Sequence, residues 1–284
     1  MSPTMSRPAA GLDELGTATP LGPLAIAGVA FWAPTLPGWP RARAAMRGEA
    51  PPQDPPARRP APELLPPAER RRAPDSVALA LEAAGAAVAA SGLAPQSLPS
   101  VFVSAHGDLA ISDHLCSMLA GTPTLISPTK FHNSVLNAAA GYWTMGVGCN
   151  EASTALTAFE HSFANGLLVA ATQCLADERP VLLVGFDVPV VGALRSVTRS
   201  DGLMAVAVVL TPDMSGQAVA VFDAELQPRT QRAAPAIASP AAQALAGNAL
   251  ADALPFFEAL ARGDTPALAM PLSARQSLAL RFLR

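Results

Sequence analysis

The sequence predicts an α/β fold: a layered sheet whose strands alternate with buried helices, finished by an antiparallel pair of strands. Three observations carry that prediction. Short apolar runs alternate with long small-residue segments as far as residue 185. Two strand-like runs, 203–210 and 216–226, then follow one another directly and read as hairpin partners. Hydrophobic residues make up 50% of the 284 and charged residues only 14%, which suffices for a sizeable core.

Taken in order, residues 24–30 are a first strand of small and branched apolar residues. Twelve of the 29 prolines fall within 34–74. Missing amide donors and a fixed φ predict an extended loop there, with at most short helical turns. The basic cluster Arg70-Arg71-Arg72 reads as solvated surface, or as an arm for an acidic partner. Asp75-Ser76 after Pro74 reads as a helix cap and Gly92 as a stop, bracketing an alanine-rich helix over 76–91. Residues 98–104 form a short buried strand, and 108–120 a helix with Asp108 or Ser112 as its cap. A polar loop at 128–137 enters the small residues 138–142.

A strand over 148–156 carries Glu151 awkwardly, and 159–176 is a second buried helix ended by Arg179-Pro180. Residues 181–185 are the plainest buried strand. Beyond the pair of strands, 228–247 is rich in proline and alanine, 240–262 contains a helix, and 267–282 is extended. The helices are apolar on more than one face, which predicts burial between two layers. The domain plan is a flexible lead-in at 1–20, a main domain at 21–227 with its proline-rich loop at 34–74, a linker at 228–247 and a helical and extended C-terminal extension at 248–284.

Composition excludes several function classes. A formal net charge of −3 gives no cationic surplus for nucleic acid, and the apolar content excludes wholesale disorder. Cys116, Cys149 and Cys174 show no CxxC spacing, so neither a disulfide framework nor a zinc knuckle is expected. His106, His114, His132 and His161 fit no ligand pattern with them, and no metal is expected. Gly141, Gly146 and Gly148 are not followed by Lys-Ser/Thr, so no phosphate loop and no cofactor are expected. No uninterrupted apolar stretch of about 18–20 residues marks a membrane span. With no signal-peptide pattern in the lead-in, the expected location is the cytoplasm.

The run Ser127-Pro128-Thr129-Lys130-Phe131-His132-Asn133-Ser134-Val135-Leu136-Asn137, followed by Ala138-Ala139-Ala140-Gly141, resembles the P-x-x-F-x-N-S-x-x-N-x-x-A stretch of β-ketoacyl synthases. Gly202 and the apolar run after it resemble the D-G-F strand of that family, and the helix at 76–91 matches the one before its second strand. The resemblance covers about residues 20–226. It implies a thiolase-like layered fold, mainly the N-terminal half of a ketosynthase with a short C-terminal extension. Family chemistry uses a cysteine at the N-terminal end of the buried helix, where helix-end amides favour the thiolate. Counting back from Gly185, that position falls at Glu160, within one residue, and no cysteine lies there. No histidine follows His161, whereas the family's later catalytic residues are usually histidines.

The resemblance therefore implies a ketosynthase-like subunit without the machinery, similar to a chain length factor of type II polyketide, fatty-acid-type or aryl polyene pigment synthesis. Such a subunit pairs with an active ketosynthase, meets acyl-carrier protein transiently and helps to shape the tunnel for the growing chain. In thiolase-like dimers the strand before this helix pairs across the interface, which places about 149–158 at the boundary. No catalytic residue is expected. Glu160 is expected to cap the helix favourably. His161 and Ser162 are adjacent on a helix, about 100° apart, and do not face each other as a nucleophile pair. Candidates for the interface or tunnel are Phe131, His132, Asn133, Asn137, Phe159, Glu160, Phe163 and Leu167, although the polar ones equally serve as buried loop supports and the apolar ones as core. Two other readings stay open: a truncated acyltransferase or ketosynthase using Ser162 or Cys149, and a homodimeric scaffold.

Overall fold

The computed structural model describes residues 18–216, 218–229, 235–264 and 267–283; residues 1–17 of the lead-in and 230–234 of the linker lie outside them. The strands are β1 (Thr19–Ala33), β2 (Leu36–Pro37), β3 (Ser100–Val103), β4 (Ser153–Leu156), β5 (Val181–Asp187), β6 (Met204–Thr211), β7 (Ala220–Pro228), β8 (Ala267–Pro271) and β9 (Gln276–Leu283). They form one mixed sheet in the order β4-β3-β5-β6-β1-β7-β9-β8, with β2 paired to β1. The helices are α1 (Trp39–Met46), α2 (Pro67–Arg72), α3 (Asp75–Ser91), α4 (Leu109–Gly121), α5 (Pro128–His132), α6 (Ala138–Val147), α7 (Ser162–Ala176), α8 (Pro240–Gln243) and α9 (Leu254–Arg262).

Period-two alternation in the central strands makes two hydrophobic layers. On one face Val29, Phe31, Leu183, Val206 and Val208 pack with residues of α1, α7 and α9. On the other Ala30, Trp32, Leu182, Val184, Ala207 and Val209 pack with residues of α3 and α6. The helices thus flank one sheet, and no second sheet encloses them among the described residues. That corrects the expectation of burial between two layers. Small side chains let helix and sheet approach closely: a Cβ at Gly28 of β1 would lie 2.1 Å from the Ala87 carbonyl oxygen of α3.

The expected hairpin is also corrected. β6 and β7 do not pair with each other, because β1 lies between them and is antiparallel to both. Its fifteen residues are long enough to serve two partners: Ala25–Trp32 face β6, and Thr19–Ile26 face β7. Within the proline-rich stretch, α1 runs for eight residues, longer than a turn. Pro40 stands in its first turn, where an amide donor is not needed, and Ala42, Ala45 and Met46 are buried beneath it. The small residues from 138 form α6, stopped by Gly148 at φ 68°, so the strand expected over 148–156 shrinks to β4. Glu151, left outside it, pairs with Arg179 at 3.0 Å.

At the start of α3 the N-cap is Pro74 rather than Asp75-Ser76. The Ser76 hydroxyl instead donates to Asp108 Oδ2 at 2.8 Å, while Asp108 Oδ1 accepts the Ile111 amide and caps α4. The C-terminal residues join the same body. Ala241 and Ala242 of α8 are buried, α9 buries both its phenylalanines, and β9 pairs with β7 and β8. Among the described residues no helix is long and apolar enough to cross a membrane.

Candidate functional site

A sharp turn joins β4 to the N-terminus of α7. Phe159 sits in it at φ 54°, a left-handed conformation that costs a bulky side chain about 1–3 kcal/mol and persists only where its surroundings impose it. Ser162 imposes it here. Fully buried, its hydroxyl accepts the Ala158 amide at 3.0 Å and donates to the Phe159 carbonyl at 2.8 Å. Thr157 anchors the other side by donating to the Ala105 carbonyl at 2.9 Å. Below the turn, Gly166 lets α7 lie on β3, since a Cβ there would come within 2.4 Å of Val103.

The Phe159 ring is 52% exposed and stands edge-on to the His106 imidazole at 5.4 Å. Both line a cavity of about 440 Å³ shared with Glu160, Arg195, Thr198 and Ala249. His106 Nε2 and Thr198 Oγ1 are 2.7 Å apart, and partial burial lowers the pKa of the imidazole. Two buried carboxyl groups support this region from beneath. Asp187, at the end of β5, accepts from the Ser104 hydroxyl at 2.7 Å and the Ala105 amide at 2.9 Å. Burial pushes its pKa up to about 7 against the pull of these donors. Asp252 reaches the first turn of α7, where Oδ2 accepts the Ala164 amide at 3.1 Å, and burial pushes it up to about 8.

Glu160 was expected to serve the helix end, yet its side chain is exposed and makes no capping hydrogen bond. Asp252 does so in its place. The other expected residues fall in separate places. Phe131 is 63% exposed on α5, His132 is exposed beside Tyr142, and Asn137 is exposed at the start of α6. Asn133 is buried, with an Oδ1 that has no partner. Phe163 and Leu167 are fully buried, the former tilted against Phe256 and Phe257 at 5.5 and 5.7 Å. Of the eight, only Phe159 and Glu160 line the cavity over the turn.

No cysteine lies in the turn. The Ser162 hydroxyl is already engaged on both sides, and His161 makes no side-chain capping bond. Cys149 is buried with its thiol against the Leu98 carbonyl, and burial pushes the Cys174 thiol up to about 12. Cys116 is exposed on α4. Among the described residues no three His, Cys, Asp or Glu side chains gather as a metal site. The sequence reading missed Asp187 and Asp252. For Asp252 the signal was a lone acid inside the apolar run Leu250-Ala251-Asp252-Ala253-Leu254.

The family described as β-ketoacyl synthase, N-terminal domain, matches residues 39–274, so the match runs well past the resemblance at 20–226. No curated protein sequence matches the chain. Among solved structures, the ketosynthase (ApeO) in complex with its chain length factor (ApeC) from Xenorhabdus doucetiae aligns at TM-score 0.68 and 22% identity, covering 91% of this chain and 98% of that one. The ishigamide ketosynthase/chain length factor aligns at 0.68 and 15%, covering 93% and 100%. A ketosynthase from module 1 of the bacillaene synthase from Bacillus amyloliquefaciens aligns at 0.54 and 14%, covering 78% of this chain but 49% of that one. At such identities the likeness speaks for the fold, which is the thiolase-like ketosynthase fold. By its sequence and its fold, the chain belongs to the β-ketoacyl synthase N-terminal-domain family.

Proposed function

We propose that this chain is a non-catalytic ketosynthase-like subunit, a chain length factor, that pairs with an active β-ketoacyl synthase in polyketide- or fatty-acid-type chain elongation. The observation that carries the reading is the turn before α7. At the helix end where the family's cysteine is expected, an aromatic side chain, Phe159, faces the cavity, and the adjacent Ser162 hydroxyl is consumed by the turn itself. A hydroxyl that already donates and accepts in a buried turn is a poor nucleophile. The same geometry disfavours acyl transfer through Ser162, and the buried position of Cys149 disfavours it there.

Two features support a partner. β4 is an edge strand, with β3 on one side and, among the described residues, no strand on the other. Large apolar side chains lie open from α4 to α6: Leu119, Leu125, Phe131, Val135 and Met145 are each 48–69% exposed. Although rich in apolar residues, α4 buries none of them fully. Patches of this kind mark protein interfaces. In the pair, the ketosynthase carries the acyl chain received from acyl-carrier protein, and Phe159 with its neighbours contributes wall to the tunnel.

Co-expression with an active ketosynthase, followed by incubation with acyl-carrier protein and acyl donor, tests the reading. The expected result is a stable 1:1 complex in which acyl label appears on the ketosynthase alone. Acyl label on this chain in isolation overturns it. So does a lone homodimer that ignores every ketosynthase offered, which would favour the scaffold reading.

A further inference from the structure

We infer that the cavity over the elbow, the turn that joins β4 to α7, binds a small aromatic carboxylate, with Arg195 taking the carboxylate and the Phe159 ring carrying the flat body. The site belongs to this chain alone, so it goes beyond the pairing proposed above and can fail while that reading stands. The cavity measures about 440 Å³, within the roughly 300–1,000 Å³ of small-molecule pockets. Phe159 is the first pointer. It is held left-handed at φ 54° and is still 52% exposed, so its backbone strain is not offset by burying the ring inside the chain. Strained residues of this kind cluster at ligand clamps. The ring meets the His106 imidazole edge-on at 5.4 Å, and the two form one aromatic wall of the cavity. With its pKa lowered by burial, His106 is uncharged at pH 7 and adds surface to that wall instead of charge.

Arg195 is the second pointer. Its Nε donates to the Val190 carbonyl at 2.9 Å, which fixes the plane of the guanidinium. Among the described residues no acceptor engages its Nη1 or Nη2 and no acid pairs with it. The segment that carries it is tied down. The Val190 amide donates to the Ser200 carbonyl at 3.0 Å, and the Val197 and Thr198 amides both donate to the Leu194 carbonyl at 3.1 Å. The Thr198 hydroxyl lies 2.7 Å from His106 Nε2, which joins this segment to the aromatic wall. A guanidinium anchored through Nε presents its two η nitrogens as the fork that a carboxylate takes bidentately. The other charges of the cavity are accounted for. Arg199 is engaged by Asp201 at 2.7 Å. Glu160 lines the cavity and, among the described residues, pairs with neither arginine, so it opposes an anion and limits its affinity. One unengaged guanidinium beside an aromatic wall suits a single negative charge on a flat apolar body.

The test is calorimetric titration and saturation-transfer NMR on the full chain at pH 7 and fixed ionic strength, with three probes. Benzoate carries both features, benzyl alcohol lacks the charge, and cyclohexanecarboxylate lacks the flat ring. Benzoate is expected to bind saturably, and each of the other two at least about fivefold more weakly. R195M should weaken benzoate roughly tenfold or more, as loss of a charge-assisted hydrogen-bonded pair does, and leave benzyl alcohol unchanged. E160Q should tighten benzoate, because a like charge leaves the cavity. F159L keeps the bulk and loses the ring face, so it should erase the preference for benzoate over cyclohexanecarboxylate. Melting temperatures show that each variant is folded. If R195M is not, R195K gives the same reading, since it keeps the charge without the fork and should also weaken benzoate. Absence of saturable benzoate binding to the wild-type chain overturns the inference. So does undiminished benzoate binding in the arginine variant, or equal binding of either other probe by the wild-type chain.

Discussion

The Ser162 hydroxyl donates to the Phe159 carbonyl at 2.8 Å while accepting the Ala158 amide at 3.0 Å, so one buried side chain closes the turn that holds Phe159 left-handed. S162A leaves the Ala158 amide without its acceptor. The expected loss is about 1–3 kcal/mol, read as a lower denaturant midpoint at unchanged slope. Ketosynthase activity of the assembled pair should persist, because the hydroxyl is structural. Abolition of acyl transfer by a variant that still folds would contradict this.

Gly166 sets how deeply α7 sits on β3. A methyl group there would overlap Val103 at 2.4 Å, and Val103 is fully buried with no room to withdraw. G166A should destabilise by about 1–3 kcal/mol through overpacking. V103A in the same chain removes the obstructing methyls, so the double variant should lose less than the two single variants summed. Simple additivity in a double-mutant cycle would show that the contact is not the cause.

Stability should fall as pH rises from about 4 to about 8. Burial raises the pKa of Asp187 to about 7 and that of Asp252 to about 8. Each folded-state value lies above the unfolded one, so the folded chain holds these protons more tightly. That stabilisation is complete below the unfolded value and is lost as pH climbs through the folded one. A pKa unit is worth about 1.4 kcal/mol, so shifts of this size make the decline the dominant effect of pH on the fold. His106 acts oppositely, since its lowered pKa weakens the fold as pH drops below about 6.5. D187N should flatten the alkaline decline in urea unfolding measured from pH 5 to 9. An unchanged slope in D187N would assign the decline to other groups.

Leu119, Phe131 and Met145 are exposed and need no partner inside the chain. F131D and M145D should therefore change the melting temperature by no more than about 2 °C, in keeping with surface substitutions. Both should weaken association with a ketosynthase at least tenfold in titration calorimetry or analytical ultracentrifugation. Retention of full affinity in both variants would place the interface elsewhere.

Much of this protein was written locally. The alanine-rich α3 and its stop at Gly92, the caps of α4, the apolar β5 and the polar run at 127–137 could each be read in place. They depend on neighbours a few residues away, through side-chain spacing, caps and turn-forming glycines. The absence of a cysteine at the start of α7 was equally legible. Nothing local, however, announces that β1 is long enough to separate β6 from β7, because strand partners are chosen across the sheet. Nor does a local pattern show that the acid at the N-terminus of α7 is Asp252 instead of Glu160. That residue arrives from 88 positions further along the chain, on a segment that Asn248 holds by donating to the Asp201 and Gly202 carbonyls. Sequence determined most of the helices and strands and the absence of a cysteine at the elbow. Tertiary structure decided what fills it, because a carboxyl is placed at a buried helix end by packing between remote segments, and period and propensity are blind to that.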